Sequence, residues 1–122
     1  MMYRNMGNNG IVYRTWLHGD KTTGVTMVSD VTRGIMWSVS ETIRIVNILE
    51  EHLTLFYSLL HPVDIRGEDI DGEPYNLLIK NSGLEIYAPP IAEEDLPTLR
   101  ISMGRADGRQ FLRRLKEHVS EV

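Results

Sequence analysis

Hydrophobic residues recur at three- and four-residue steps through Glu41–Leu60, ETIRIVNILEEHLTLFYSLL. Val46, Leu49, Leu53, Phe56 and Leu60 line one face of a helix, and Ile45, Ile48, His52, Leu55 and Leu59 make a second row beside it. Arg44, Asn47, Glu51, Thr54 and Ser58 leave one narrow polar row. A helix this apolar must be covered on most of its circumference. Ser40 is placed to cap its start and Glu41 to meet the positive end of its dipole. Pro62 stops it, because proline disfavours helical geometry at His61.

Upstream the period changes to two. Ile11–His18 is β-branched and aromatic, with Ile11, Tyr13, Thr15 and Leu17 on one face and Val12, Arg14, Trp16 and His18 on the other. Val25–Val31 and Ile35–Val39 read as returning strands across glycine-bearing turns, which predicts an antiparallel meander. Residues 1–10 are polar and rich in Asn and Gly, which predicts a flexible lead-in and leaves 11–122 as a single α+β domain.

Downstream, Val63–Arg66 predicts a short strand and residues 67–74 a polar loop. Tyr75–Lys80 and Leu84–Tyr87 predict a hairpin across Asn81-Ser82-Gly83, with Gly83 at a positive-φ position. Leu99–Met103 is the last strand, and Asp107 is placed to cap a helix from Gly108 to about Glu121. In that helix Phe111, Leu112, Leu115, Val119 and Val122 form the apolar stripe. No internal repeat is visible. The pattern predicts an α+β fold of order β-β-β-α-β-β-β-β-α: an antiparallel sheet with the long central helix packed on it, and a C-terminal amphipathic helix. The second row of the central helix is covered either by the terminal helix or by a second copy. A homodimer would bury Ile45, Ile48, His52, Leu55 and Leu59 at its seam.

Composition narrows the chemistry. The 122 residues contain no cysteine, which excludes disulfides, thiolate metal sites and cysteine nucleophiles. The start has no apolar h-region and the central helix carries charges, so neither a signal peptide nor a membrane span is expected and a cytoplasmic location follows by elimination. The net charge of −4 is segregated: residues 64–95 hold nine acidic and two basic side chains, residues 96–122 six basic and three acidic ones. Such a layout can set an acidic and a basic patch on one small body.

The acidic loop Asp64, Glu68, Asp69, Asp71 and Glu73 has the oxygen ligands a hard cation needs, but calcium-loop spacing fails. With Gly72 at the sixth position, the first and twelfth would be Gly67 and Leu78. The histidines, His18, His52, His61 and His118, show no metal-helix spacing, and no nucleophile motif or phosphate-binding glycine loop is present. No metal or cofactor is expected.

The basic run Arg105, Arg109, Arg113 and Lys116 follows helical spacing and is the strongest functional signal. It suits an anion or nucleic acid, with aromatic residues for stacking, or an acidic protein partner; the low sequence pI of about 5.5 weakens long-range attraction to phosphate. The ending LRISMGRADGRQFLRRLKEHV resembles that of single-strand-binding β-β-β-β-α transcription coactivators over about twenty residues, and no residue role is carried over from it. The reading that follows is a non-enzymatic binding or regulatory module, a homodimer acting through a protein partner or small ligand. Its contacts would be Trp16, Trp37, Tyr13 and Tyr87. Accessory proteins of phages and mobile elements are of this kind. The alternative is a nucleic-acid or nucleotide-phosphate binder using the basic C-terminal helix.

Overall fold

A computed structural model describes residues 2–6, 12–16, 25–29, 33–53 and 61–120. Strands β1 (Met2–Met6), β2 (Val12–Trp16), β3 (Val25–Ser29) and β4 (Gly34–Ser38) lead into helix α1 (Val39–Leu53). Strands β5 (Val63–Glu68), β6 (Pro74–Lys80), β7 (Gly83–Ala88) and β8 (Leu99–Gly104) lead into helix α2 (Arg105–Ser120). The class is α+β, and every strand pairing is antiparallel: β1 with β2, β3 with β4, and β5-β6-β7-β8 as one four-stranded sheet. Four strands and a helix thus occur twice, each helix starting at the residue after its fourth strand. What recurs among the described residues is the order of elements and not the strand pairing, since the first four strands form two hairpins and the last four one sheet.

Several boundaries differ from the sequence reading, and Gly67, Glu68 and Pro74, read there as loop, belong to β5 and β6. Within the polar start, Met2–Met6 forms a strand that pairs with Val12–Trp16 in register from Met2↔Trp16 to Met6↔Val12; residues 1 and 7–10 lie outside the described residues. Main-chain pairing does not depend on side-chain polarity, so Arg4 and Asn5 do not prevent it. Helix α1 starts at Val39, and the Ser38 hydroxyl accepts the Glu41 N–H at 3.2 Å, the capping role assigned above to Ser40. Helix α2 starts at Arg105, so Asp107 lies in its first turn instead of capping it. Leu55, Phe56, Leu59 and Leu60 lie outside the described residues.

The four-stranded sheet buries one face. Ile65, Tyr75, Leu77, Ile79, Leu84, Ile86, Leu99, Ile101 and Met103 point into the core, and their neighbours along each strand point out. Ile45, Leu49 and Leu53 of α1, Phe111 and Leu115 of α2, and Val28, Ile35 and Trp37 of β3–β4 fill the other side of that core. Gly83 has φ 148, and a Cβ there would run into the main chain of Met103 and Gly104, so the hairpin needs glycine at this position. Among the described residues, no helix is long and apolar enough to cross a membrane.

Helix α2 lies along α1. Lys116 Nζ stands 2.8 Å from Glu50 Oε1, and Arg109 Nε donates to the Leu53 carbonyl at 3.4 Å. Ile45, placed above at a dimer seam, is 0% exposed within the single chain. It therefore has no surface to offer a second copy. Ile48 and His52 are partly buried, and Leu55 and Leu59 lie outside the described residues.

Candidate functional site

The outer face of β5–β8 is built by alternation. With the apolar residues turned to the core, Asp64, Asn76, Leu78, Glu85, Tyr87 and Arg100 line a shallow hollow of about 260 Å³. Cross-strand register sets Tyr87 opposite Arg100, and the guanidinium carbon lies 5.3 Å from the ring centroid. Glu85 pairs with Lys80 and lies 3.9 Å from Arg100 Nη1. Asp64 accepts from Asn76 Nδ2 at 2.9 Å and from Arg66 Nε at 3.4 Å. Asp64 and Glu85 each have a cationic partner, while Leu78 and Tyr87 stay partly exposed between them.

One edge of that sheet is partly covered. Asp69 N–H donates to Glu73 O at 2.8 Å in continuation of the β5–β6 register, so odd-numbered β5 residues face β6 and even-numbered ones turn their main chain outward. Two of the outward groups along this edge find partners. Arg44 Nη2 donates to Arg66 O at 3.3 Å, and the Ile70 N–H donates to Met36 O at 2.8 Å. Glu41 is held by Arg44 Nε at 2.6 Å and by the Tyr75 hydroxyl at 2.7 Å. The Arg44 hydrogen bond keeps the Glu41 carboxyl below its ordinary range against the opposing effect of burial. Burial, then Glu41, pushes the Tyr75 hydroxyl up. Sequence reasoning gave Glu41 only a dipole role, since contact with Tyr75 across 34 positions leaves no local signal.

Three of the four basic side chains singled out by spacing are tied to the fold. Arg105 Nη1 donates to Asn81 O at 3.4 Å, Arg109 meets Leu53 O, and Lys116 meets Glu50. Arg113 is exposed and makes no polar contact among the described residues. Arg109, Arg113 and Lys116 nevertheless share one hollow of about 470 Å³ with Leu112 and Glu117.

The acidic segments converge at the other end. Asp69, Asp71, Glu73 and Glu94 line a polar cavity of about 360 Å³ together with Arg33. Asp69 Oδ1 accepts the N–H groups of Asp71 and Glu73, both at 2.9 Å, so the loop is an internally bonded turn. Among the described residues, no three His, Asp or Glu side chains are grouped to hold a metal ion. Arg33 was missed by sequence reasoning and is 6% exposed. Its Nη1 donates to the carbonyls of Pro89 at 2.5 Å and Pro97 at 2.9 Å, tying the start of β4 to the β7–β8 connection.

Of the four aromatic contacts expected, Tyr87 is on the open face. Trp37 is 0% exposed and is corrected to a core residue, packed 5.5 Å from the Tyr75 ring. Its indole N–H finds no acceptor among the described residues. Tyr13 and Trp16 lie in β2, and their side chains are outside the described part of the structure. His52 Nδ1 is buried with no hydrogen-bond partner among the described residues. No family model matches the chain, and no curated protein or solved structure gives a significant match.

Proposed function

We propose that the protein is a non-enzymatic binding module that recognises a protein partner through the outer face of β5–β8. The observation that carries this reading is the Tyr87–Arg100 stack beside partly exposed Leu78, on the face opposite the one that the core fills. Aromatic and arginine side chains dominate binding energy at protein interfaces, because they offer large, ordered contact area. Glu85 and Asp64 are neutralised by neighbours, which suits orientation of a partner better than proton transfer. A homodimer through α1 is not required by this reading, since Ile45 is covered within the chain.

Peptide-display selection on the intact protein tests it. Selected sequences are re-measured against Tyr87→Ala and Arg100→Ala, with circular dichroism confirming the fold. The reading expects at least about a tenfold loss of affinity in each, or about 1.4 kcal/mol. Sequences that bind both variants as tightly as the wild type count against it.

A further inference from the structure

Two large apolar side chains stand exposed among the described residues, Ile43 at 42% and Ile70 at 48%. Their surroundings are opposite in charge. Ile43 opens a slot of about 320 Å³ between α1 and α2, walled by Val46 and Val119. Lys116 and Ser120 line both that slot and the larger hollow holding Arg109 and Arg113. An apolar slot therefore runs into a hollow with three cations and one acid, Glu117. Ile70 sits at the tip of the β5–β6 turn, with Glu68, Asp69, Asp71 and Glu73 around it in the chain. That tip is held in place by Ile70 N–H on Met36 O and by the Asp69 side-chain bonds.

The two features are complementary in both respects: an apolar side chain among carboxylates, and an apolar slot beside cations. They do not meet within one chain: both isoleucines stay exposed, with the tip bonded to β4 and the slot between the helices. We infer that the β5–β6 tip of one copy docks in the α1–α2 slot of a second copy, with Ile70 against Ile43 and Val119 and the tip carboxylates facing Arg113 and Lys116. This contact is heterologous, using two different patches, so it links copies head to tail into a ring or chain. A nucleic-acid strand would satisfy the cationic hollow but leave the Ile43 slot without a partner, and the net charge of −4 opposes it. The inference is independent of the sheet-face reading.

Sedimentation of the full chain over a range of concentrations tests the contact. The wild type should self-associate, and raised salt should weaken association by screening. Arg113→Glu and Asp71→Arg alter exposed side chains, and Ile70→Ser an exposed turn; each should weaken association at least about tenfold. The decisive measurement mixes Arg113→Glu with Ile70→Ser. The first keeps an intact tip and the second an intact slot, so the mixture should form one-to-one pairs that grow no further. A wild type that stays monomeric up to about 1 mM, single variants that associate like the wild type, or a mixture that forms no pairs would each overturn the inference. Binding of single-stranded oligonucleotide that is lost on Arg113→Glu and kept on Ile70→Ser would also overturn it, in favour of the nucleic-acid occupant.

Discussion

The Tyr75 hydroxyl donates to Glu41 Oε2 at 2.7 Å and so joins β6 to the first turn of α1. Arg44 reaches both carboxylate oxygens, Nε to Oε1 at 2.6 Å and Nη2 to Oε2 at 3.1 Å, and its Nη2 also covers the Arg66 carbonyl on the β5 edge. An unsealed edge strand is a template for pairing with another chain.

The acid limb of stability should report this carboxylate. The Glu41 carboxyl is held below its ordinary range in the folded state, by Arg44 first and also by Tyr75. Its contribution is therefore fully present above the unfolded carboxylate pKa and is lost as pH falls through the lower folded value. Tyr75→Phe should cost about 1–2 kcal/mol at neutral pH, by urea unfolding, and less in acid once Glu41 is protonated. A loss of equal size at both pH values would argue that the hydroxyl contributes independently of the carboxylate.

The alkaline limb has the opposite sign. Burial raises the Tyr75 hydroxyl above the ordinary tyrosine value, so its contribution is present below about pH 10 and is lost as pH rises through the folded value. Ultraviolet titration should show one tyrosine that resists ionisation until the protein unfolds. In Tyr75→Phe that resistant step should vanish.

Two glycines should refuse alanine for different reasons. At Gly67 a Cβ would crowd the Glu41 carboxylate and stand 2.7 Å from both Arg44 Nη2 and the Tyr75 oxygen. Gly67→Ala should cost about 1–3 kcal/mol, because those side chains can shift only by loosening one another. At Gly83 the obstacle is the main chain of Met103 and Gly104. Gly83→Ala should therefore lower the melting temperature further than Gly67→Ala.

Trp37 should behave as a buried fluorophore. In a Trp16→Phe background all indole emission comes from Trp37, and iodide should quench it poorly. Trp37→Ala should cost about 3–5 kcal/mol through the cavity left beside Tyr75. Efficient quenching in the single-tryptophan variant would contradict its burial.

Arg33→Leu should destabilise the protein by about 1–3 kcal/mol, since it removes the donor shared by the Pro89 and Pro97 carbonyls. Chemical denaturation at neutral pH measures it. A neutral outcome would mean that water replaces the guanidinium at those carbonyls.

Local pattern was enough wherever one face of an element is buried. Tyr75, Leu77 and Ile79 alternate with partly exposed neighbours in β6, and Phe111, Leu112 and Leu115 recur at helical steps in α2. Gly83 was legible for a related reason, because a tight hairpin imposes its backbone requirement on one residue. The candidate surfaces were legible only in part. Aromatic chemistry singled out Tyr87 and spacing gathered Arg109, Arg113 and Lys116 on one helix, but neither could show which face Tyr87 takes or that Glu50 and the Leu53 carbonyl already engage two of the cations.

The sequence by itself determined which residues are apolar on which face, where charge accumulates, and where backbone freedom is needed, because these follow from periodicity and single-residue chemistry. Only the tertiary structure decided what lies across each face. It put Trp37 in the core, covered Ile45 within the chain, set Arg33 under the β7–β8 connection and brought Arg44 to the β5 edge and Glu41 to Tyr75. Each of those joins positions far apart along the chain, and such a contact is fixed by packing geometry, of which no local stretch of residues carries a record.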